Sequence, residues 1–473
     1  MSPLRSQPAL DAGDSAMAEP PGREHRGPLR RLVRWFVAVY YPRMEIADGD
    51  RIPQGGPVLL CANHCNSLID PVIIGIAARR PVRFMAKAPL FDHPLLGPAI
   101  TALGMVPAFR GTDDPSQVRR NLESLDVGAK VLVEGHAMGI FPEGKSTDQS
   151  HLEMIRSGAA RMALQAAESG ARDVCVVPIG LTYERRERFR SAVLVRVGEP
   201  IGVNALLAAH GGNERAARRE LTSQLESRLK QIVVHLEEPL WEPWFEYLEL
   251  LVPARRDAPH GPARRLWQRK RIADAINFFL ASDRARADSI AWEIADFHRR
   301  VREIGLALDS PLLHNRGLRT ALPLLASLAC LLLLFIPALW GTLYHVVPFV
   351  VVRAIASRMD ARTTQTTSTH RLMVGAPFYP VWYAVVTVML LFWNARLAFA
   401  SLLLAPFTGL VAFHYWPRAV HTMVLAYHHA RALVSRGELL DLRQRLTALR
   451  ERLGEMADEY RRVAEEPRPS GKP

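Results

Sequence analysis

Apolar and polar residues divide the chain into segments of different character. Residues 1–28 are rich in Pro, Gly, Ala and charged residues without an apolar period, which predicts a disordered tail. No apolar core follows the first methionine, so we expect no cleaved signal peptide. Residues 29–42 place an apolar face opposite three arginines. This pattern predicts an amphipathic helix that lies in the membrane interface or packs on a soluble domain.

Residues 43–236 alternate short apolar runs with helical periods. The strand-like runs are PVLLCA, VRFMA, MGIF, VCVVPIGL and AVLVRVG. Helical patterns lie between them, and an amphipathic helix with leucines at Leu221, Leu225 and Leu229 closes the segment. This alternation is typical of an α/β domain. Residues 237–317 are charged and mostly helical, which predicts a helical extension.

Charge almost disappears over residues 318–416, which predicts a helical transmembrane region, with a soluble helical core as the alternative. The apolar stretches are 318–352, 375–393 and 397–415. The segment 353–371 carries four arginines and should be cytoplasmic, as should the basic segments that flank the region. The segment 353–371 and the two flanking segments lie on one side of the membrane only if the region forms two hairpins, with four spans and His345 at a turn.

Residues 417–473 form a tail in which apolar residues recur three or four positions apart between Leu439 and Met456. This spacing predicts a short coiled-coil seam through which the chain could self-associate. An amphipathic helix that packs on the protein or on the membrane is the alternative.

Composition excludes several classes of protein. The 473-residue chain has 49% hydrophobic and 23% charged residues, so it is not intrinsically disordered, and four cysteines are too few for a disulfide scaffold. Sixty Lys and Arg against 47 Asp and Glu give a formal charge of +13, which suits nucleic acid, an anionic membrane or phosphorylated substrates. The basic residues are dispersed or flank the membrane region, so we expect no nucleic-acid partner.

A histidine and an aspartate follow the first strand-like run. His64 could remove a proton from a hydroxyl group while Asp70 accepts the other ring N–H and fixes the tautomer. The alternative is structural, because Asp70 precedes Pro71 and an apolar run and therefore suits a helix N-terminus. A metal site of Cys61, His64 and Cys65 lacks suitable spacing and a fourth ligand, so we expect no metal.

The segment GIFPEGKS offers several polar groups at the end of a strand-like run. Gly144 would let the backbone approach a ligand, while Glu143, Lys145 and Ser146 supply an acceptor, a cation and a hydroxyl. A helix begins soon afterwards, and its N-terminal amides favour an anion. A solvated turn is the alternative.

Two shorter elements complete the set. Arg110 ends a predicted short strand that begins near Gly104, and a guanidinium matches phosphate oxygens, although a surface charge is the alternative. Pro178 interrupts a strand-like run, which predicts an edge strand or a bulge and by itself indicates no chemistry.

In this order, these elements resemble the glycerolipid acyltransferase family, which acylates glycerol-3-phosphate and lysophosphatidic acid. The matching segments are Asn63-His64 with Asp70-Pro71, Gly104 to Arg110, Phe141 to Gly144, and Val177 to Gly180, with support from Lys87 to Phe91, Gly97 and the helix from Ile155. The resemblance covers about residues 57–201. It implies an α/β acyltransferase-type domain whose active site faces the bilayer, here joined to a C-terminal helical transmembrane region.

The resemblance also implies roles for individual residues. His64 would be the general base, oriented by Asp70, and the acceptor oxygen would attack the thioester of acyl-CoA or acyl-carrier protein without an acyl-enzyme. Pro178 would lie by the acyl donor. The residues expected to bind the phosphate-bearing acceptor are Asn66, Arg110, Glu143, Gly144, Lys145 and Ser146. No metal or organic cofactor is implied.

Two departures from the family pattern bear on the acceptor. Five residues separate His64 from Asp70 where four are common, which is similar to the eukaryotic endoplasmic-reticulum glycerol-3-phosphate acyltransferases. Lys145-Ser146 replaces the usual Thr-Arg, so Lys145 could supply the phosphate contact as a point charge. Both departures favour glycerol-3-phosphate or dihydroxyacetone phosphate, with lysophosphatidate as the alternative.

We therefore expect a multi-pass membrane O-acyltransferase of phospholipid biosynthesis that contacts membrane lipid and holds its catalytic domain on the cytoplasmic face. A non-catalytic lipid-binding scaffold is a second hypothesis, although such a scaffold would not need His64 and Asp70. A transporter is a third, and it is weakly supported because the apolar stretches carry charges only near their ends, at Arg319 and Arg396.

Overall fold

A computed structural model describes most of the chain. The described residues are 28–66, 69–92, 96–108, 118–144, 150–252, 263–314, 318–360, 367–434 and 436–465. Most of the predicted N-terminal tail, 1–27, lies outside them.

The described strands form one mixed eight-stranded sheet. They are β1 (Arg43–Ala47), β2 (Val58–Ala62), β3 (Val82–Lys87), β4 (Val106–Ala108), β5 (Ala137–Ile140), β6 (Cys175–Tyr183), β7 (Ala192–Val197) and β8 (Ile201–Gly202). The order is β1-β7-β6-β2-β5-β3-β4, with β8 beside β6. β7 and β8 run antiparallel to β6, whereas the other pairings are parallel. The expected α/β fold is confirmed.

Helices cover both faces of this sheet. The N-terminal helices are α1 (Pro28–Tyr40), α2 (Ile69–Ala78), α3 (Leu96–Ala102), α4 (Val118–Val133), α5 (Gly158–Glu168), α6 (Val203–Ala209) and α7 (Glu214–Ile232). In central strand β2, Leu59 and Cys61 pack in the cluster formed with α4, α5 and α7, whereas Leu60 and Ala62 pack in the cluster formed with α1 and α2. Because both faces are buried, β2 is apolar throughout.

Helix α1 packs on the α/β domain, which is one of the two alternatives predicted for residues 29–42. Val37 and Tyr40 are buried against the domain, whereas Leu32 is 51% and Trp35 58% exposed. One side of the helix therefore packs on the α/β core, and its other side presents apolar groups of the kind that enter a membrane interface.

The helical extension and the tail form one body. Its helices are α8 (Glu242–Leu251), α9 (Arg264–Ser282), α10 (Arg284–Glu303), α11 (Pro311–His314) and α15 (Arg436–Glu465). The apolar row of the tail, from Leu439 to Met456, is buried in the same cluster as residues of α8 to α11. The row thus packs within its own chain, which matches the packing alternative.

Three long apolar helices complete the described part of the chain: α12 (Leu318–Asp360), α13 (Thr367–Leu391) and α14 (Ala395–Val434). Each contains a stretch long and apolar enough to cross a membrane. α14 continues past the predicted boundary at residue 416, so this apolar helix and the start of the predicted tail are one continuous element.

The hairpin expected within residues 318–352 is wrong. α12 passes through Pro337, Gly341 and His345 without a turn. Gly341 instead lies against α14, where a Cβ atom would overlap the carbonyl oxygen of Thr408. Small residues allow such close approach between membrane helices, and neighbouring helices let a membrane helix tolerate proline. Gly341 therefore serves helix packing here, and α12 continues through Pro337.

Candidate active site

The site begins where β2 leaves the sheet. Asn63 is tied to β6, because its Nδ2 donates to the carbonyl oxygen of Leu181 at 3.0 Å and its Oδ1 accepts from the Leu181 amide at 2.7 Å. This pair of bonds fixes the direction of the chain just before His64. The histidine therefore stands at the carboxyl end of a central strand, where α/β folds commonly place ligand sites.

Asp70 gathers the turn that carries the histidine. Its Oδ2 accepts from His64 Nδ1 at 2.9 Å and from the amides of Cys65 and Asn66 at 2.8 and 2.7 Å. Its Oδ1 accepts from the Tyr183 hydroxyl at 2.5 Å. The carboxylate lies in the first turn of α2 and is fully buried. It thus combines the two roles weighed from the sequence, since it orders the turn and also contacts the imidazole.

The imidazole of His64 is held with one nitrogen available. Because Nδ1 faces a carboxylate, Nδ1 carries the proton and Nε2 is the acceptor. The ring stacks on Phe141 with centroids 3.9 Å apart and planes 15° apart, and the side chain is 11% exposed. No hydrogen bond joins Nε2 to another residue of the described chain. This arrangement suits a general base.

Glu143 joins the His64 turn to the segment before α5. Its Oε1 accepts from the His64 amide at 2.8 Å, and its Oε2 accepts from the Glu153 amide at 3.1 Å. The side chain is buried, and this burial raises the pKa of the Glu143 carboxyl group, although the two amide bonds oppose the shift. With both oxygens bound to backbone amides, Glu143 positions the loops around the histidine.

Gly144 supplies a tight turn beside an arginine. It has φ 75°, which favours glycine, and an added Cβ atom would lie 3.2 Å from Nε of Arg156. The guanidinium of Arg156 is exposed and forms no ion pair within the part of the chain that the structure describes. A cation thus stands one residue from Glu143, which itself contacts the His64 backbone.

Asn66 is buried, and its side chain faces protein rather than solvent. Its Nδ2 donates to the Tyr41 hydroxyl at 2.8 Å, and that hydroxyl donates to the carbonyl oxygen of Arg186 at 2.5 Å. Arg186 in turn donates from Nη1 to the carbonyl oxygen of Cys65 at 2.8 Å. Asn66 therefore belongs to a ring of hydrogen bonds that holds the turn. This geometry favours a structural role for its side chain over the expected contact with substrate.

Pro178 lies inside the sheet. Its strand β6 is central, so the edge position expected from the sequence is wrong, whereas a local break in pairing is present. β7 pairs with β6 from Ile179 onward, and β8 pairs with Cys175 and Val176. Pro178 lies between these two pairings and accepts a hydrogen bond from the Gly198 amide at 2.8 Å. Because proline cannot donate, it fits this gap in the ladder.

Three predicted site residues, Arg110, Lys145 and Ser146, lie outside the described residues. Among all the residues that the structure describes, no group of three or more His, Cys, Asp or Glu side chains could hold a metal ion. Cys61 is buried in the core, and burial raises the pKa of its thiol, so it is a poor nucleophile.

Comparison with known proteins identifies the domain. Residues 43–182 match the Acyltransferase family. This part of the chain is an acyltransferase domain. The match begins at β1 and ends in β6, so it contains His64, Asp70 and Glu143.

The relatives of this acyltransferase domain include enzymes for both candidate acceptors. Glycerol-3-phosphate O-acyltransferase 2 of Saccharomyces cerevisiae is 25% identical over 54% of this chain and 36% of its own length, and glycerol-3-phosphate O-acyltransferase 1 of the same yeast is 34% identical over 22% and 14%. The 1-acyl-sn-glycerol-3-phosphate acyltransferase beta of Homo sapiens is 26% identical over 38% and 64%. The chain thus spans about a third or less of the two yeast relatives it matches.

One solved structure is also similar. It is the crystal structure of the 1-acyl-sn-glycerophosphate acyltransferase PlsC from Thermotoga maritima, which is 17% identical, with a TM-score of 0.31, over 42% of this chain and 77% of that chain.

Four residues of the candidate site were not predicted from the sequence. Tyr41, Tyr183 and Arg186 support the His64 turn but lie far from it in the sequence. Burial and the Asp70 carboxylate raise the pKa of Tyr183 well above its ordinary value, so its hydroxyl remains a donor. Arg156 carried a sequence signal, because it lies in the matched helix segment from Ile155, but nothing in the sequence placed it beside Gly144.

Proposed function

We propose that this chain is a membrane-bound O-acyltransferase that transfers a fatty acyl group from an acyl thioester to a hydroxyl of glycerol-3-phosphate. The observation that carries the proposal is the His64–Asp70 pair, buried on one side and available at Nε2 on the other. The relatives support the reaction class, since those named above are acyltransferases of glycerol-3-phosphate or its 1-acyl derivative.

The proposed mechanism uses His64 as a base and then as an acid. Nε2 takes the proton of the acceptor hydroxyl as its oxygen attacks the thioester carbonyl carbon. The imidazolium that forms is stabilised by the Asp70 carboxylate at Nδ1. When the tetrahedral intermediate collapses, the C–S bond breaks and the thiolate receives the proton from Nε2. The products are an ester and a free thiol, and no acyl-enzyme is required.

Two predicted substrate-binding residues are reassigned to positioning. Nδ2 of Asn66 donates to the Tyr41 hydroxyl, and both carboxylate oxygens of Glu143 accept from the amides of His64 and Glu153. Each therefore acts through the placement of the histidine. Positioning of this kind matters because small displacements of a catalytic group lower the rate steeply.

A cationic site for the acceptor phosphate is proposed around Gly144. Arg156 provides a guanidinium beside this glycine, and guanidinium forks bind phosphate in a bidentate way. Lys145 and Arg110 remain candidates for the same role from the sequence. Pro178 remains a candidate neighbour of the acyl donor from the sequence.

The membrane arrangement is part of the proposal. The α15 tail packs on the helical extension, so the chain segments before α12 and after α14 lie on the same face, which we propose is cytoplasmic. The chain then crosses the membrane an even number of times between residues 318 and 436, so α12, α13 and α14 do not each cross it once. Single cysteines introduced as Arg300→Cys and Glu455→Cys should react alike with a membrane-impermeant maleimide in sealed vesicles, and opposite reactivity would refute this arrangement.

The function is tested with the full-length protein purified into lipid nanodiscs. Oleoyl-CoA or oleoyl-acyl-carrier protein is supplied with glycerol-3-phosphate, dihydroxyacetone phosphate and oleoyl-lysophosphatidate in competition, and each acylated product is measured by mass spectrometry. We expect acylation of glycerol-3-phosphate to dominate. Acylation of lysophosphatidate alone would establish the alternative acceptor, and no acylation of any acceptor would favour a lipid-binding scaffold.

A further inference from the structure

A basic cavity of about 410 Å³ lies between the β6–β7 loop and α14, and we call it the arginine cavity. Its lining includes Arg43, Glu184, Arg185, Arg188, Arg190 and Phe413. None of the residues that hydrogen-bond to His64 or Asp70 lines it. The arginine cavity is thus separate from the proposed catalytic pair, and its volume falls in the range of ligand sites.

Positive charge in the arginine cavity exceeds the negative charge that the protein supplies there. Arg43 donates to Glu184 at 2.9 Å and to the Arg190 carbonyl oxygen at 3.1 Å, so one carboxylate is already engaged. Arg185, Arg188 and Arg190 form no ion pair with any other described residue. Like charges around one cavity repel, and a phosphate group would offset three guanidinium groups with geometry that suits it.

The cavity meets the membrane region on its other side. Phe413 of α14 packs edge-on against Phe189 of the loop, with ring centroids 5.4 Å apart. α14 is one of the helices apolar enough to cross a bilayer. Basic groups at such a junction lie where the headgroups of anionic lipids are found.

An apolar groove of about 260 Å³ adjoins the arginine cavity. It lies between α12 and α14, with Leu331, Leu334 and Leu410 in its lining, and His414 lines both the groove and the arginine cavity. A ligand that fits both would carry an anionic phosphate next to a hydrocarbon chain. A free phosphate would fill only the arginine cavity.

We propose that the arginine cavity binds the phosphate headgroup of an anionic phospholipid whose acyl chain lies in the adjoining groove. The bound lipid orders the β6–β7 loop. The same loop holds the histidine turn, since the Arg186 carbonyl oxygen accepts from the Tyr41 hydroxyl and the Arg186 guanidinium donates to the Cys65 carbonyl oxygen. The site is therefore placed to couple anionic lipid to the order of the catalytic turn. Lipid binding itself does not depend on the proposed acyl transfer.

The test measures binding directly on the full-length protein in neutral detergent by native mass spectrometry. Dioleoyl phosphatidylglycerol is the probe because it is neither substrate nor product of the proposed reaction, and dioleoyl phosphatidylcholine and inorganic phosphate are compared with it. The variant Arg185→Gln/Arg188→Gln/Arg190→Asn removes three charges, with asparagine at 190 because that residue has φ 63°. The control Arg172→Gln/Arg215→Gln/Arg219→Gln removes three exposed charges elsewhere.

We expect the wild type to bind phosphatidylglycerol at least about tenfold more tightly than phosphatidylcholine. The cavity variant should lose about tenfold or more, as expected for the loss of charge-assisted hydrogen bonds, whereas the control should change less than about twofold. Excess inorganic phosphate should not displace the lipid. Equal binding by the wild type and the cavity variant would overturn the proposal, and displacement by inorganic phosphate would replace the lipid with a free anion. A His64→Ala variant should bind the lipid as the wild type does, so failure of the catalytic proposal remains distinguishable.

Discussion

Substitution of Asp70 by asparagine removes one negative charge while keeping the shape of the site. An asparagine Oδ1 can replace Oδ2 as acceptor from His64 Nδ1 and from the two amides of the turn. Its amide nitrogen then faces the Tyr183 hydroxyl, which can accept instead of donate. The histidine tautomer is thus retained, and the main loss is the charge that stabilises the imidazolium.

The size of the lost stabilisation follows from the distance between the imidazolium charge and the carboxylate charge. Two unit charges about 4 Å apart interact by about 4 kcal/mol at the effective dielectric constant of about 20 that suits partly buried sites. At about 1.4 kcal/mol for each factor of ten, kcat should fall about 10³-fold. KM for the acceptor should change little, because Asp70 is buried and does not contact solvent.

The assay is release of free thiol from acyl-CoA in nanodiscs, with product identity checked by mass spectrometry. Tyr183→Phe is the matched control, because it removes one donor to the same carboxylate but leaves the charge, and we expect about a tenfold loss. Thermal unfolding of both variants should remain within a few degrees of the wild type. An Asp70→Asn enzyme with kcat within about tenfold of the wild type would refute a charge-stabilising role for Asp70.

Three further predictions concern other parts of the site and its support. Arg156→Gln should raise the acceptor KM about tenfold with little change in kcat, whereas Arg161→Gln in the following helix α5 should not. Unchanged KM in Arg156→Gln would remove this residue from the phosphate site. Gly139→Ala should lower both the melting temperature and kcat, because its Cβ would overlap the Phe84 ring that stacks behind Phe141. The free energy of unfolding should fall by about 1–3 kcal/mol, and unchanged values would show that the Phe84 ring can move freely. Burial lowers the pKa of His235 to about 4, so this residue stays neutral in the folded protein, whereas the histidine of the unfolded chain binds a proton below about pH 6.5. The free energy of unfolding, measured with denaturant, should therefore fall by about 2 kcal/mol between pH 7 and pH 5. The fall should be smaller in His235→Asn, and an equal pH dependence in both proteins would contradict this explanation.

Local periodicity was sufficient to predict most of the sheet. The continuous apolar run of β2 reflects burial on both faces, so it is visible in the sequence. β1 was missed because its sequence, RMEIA, mixes charged and apolar residues, and only its pairing with β7 from Arg43 to Ala47 makes it a strand. Tertiary contact decided that element.

The membrane region shows a similar limit. Pro337 and Gly341 indicate a break when they are considered alone, yet α12 is continuous there. Gly341 is needed because the backbone of α14 approaches it at Thr408. The sequence alone does not show that α14 packs there. The sequence therefore indicated the apolar stretches and the break between α13 and α14, whereas the turn expected inside 318–352 was wrong.

The catalytic pair could be predicted because it is local. His64 and Asp70 are six positions apart, so a single turn brings them together. The supporting groups come from 25 to 121 positions away, as with the bonds from Asn66 to Tyr41 and from Arg186 to Cys65. Such contacts depend on the sheet order, which the spacing of residues along the chain does not specify.

The central claim is that His64 is the base of an acyl transfer, and the most direct measurement compares acyl transfer by the wild type, His64→Ala and His136→Ala in the same nanodiscs. His136 is an exposed histidine of the same domain, so its replacement controls for loss of a surface imidazole. We expect His136→Ala to retain wild-type activity and His64→Ala to lose at least about 10³-fold, within the range for removal of a general base, while its melting temperature remains unchanged. Folded His64→Ala protein that transfers acyl groups at the wild-type rate would contradict the account.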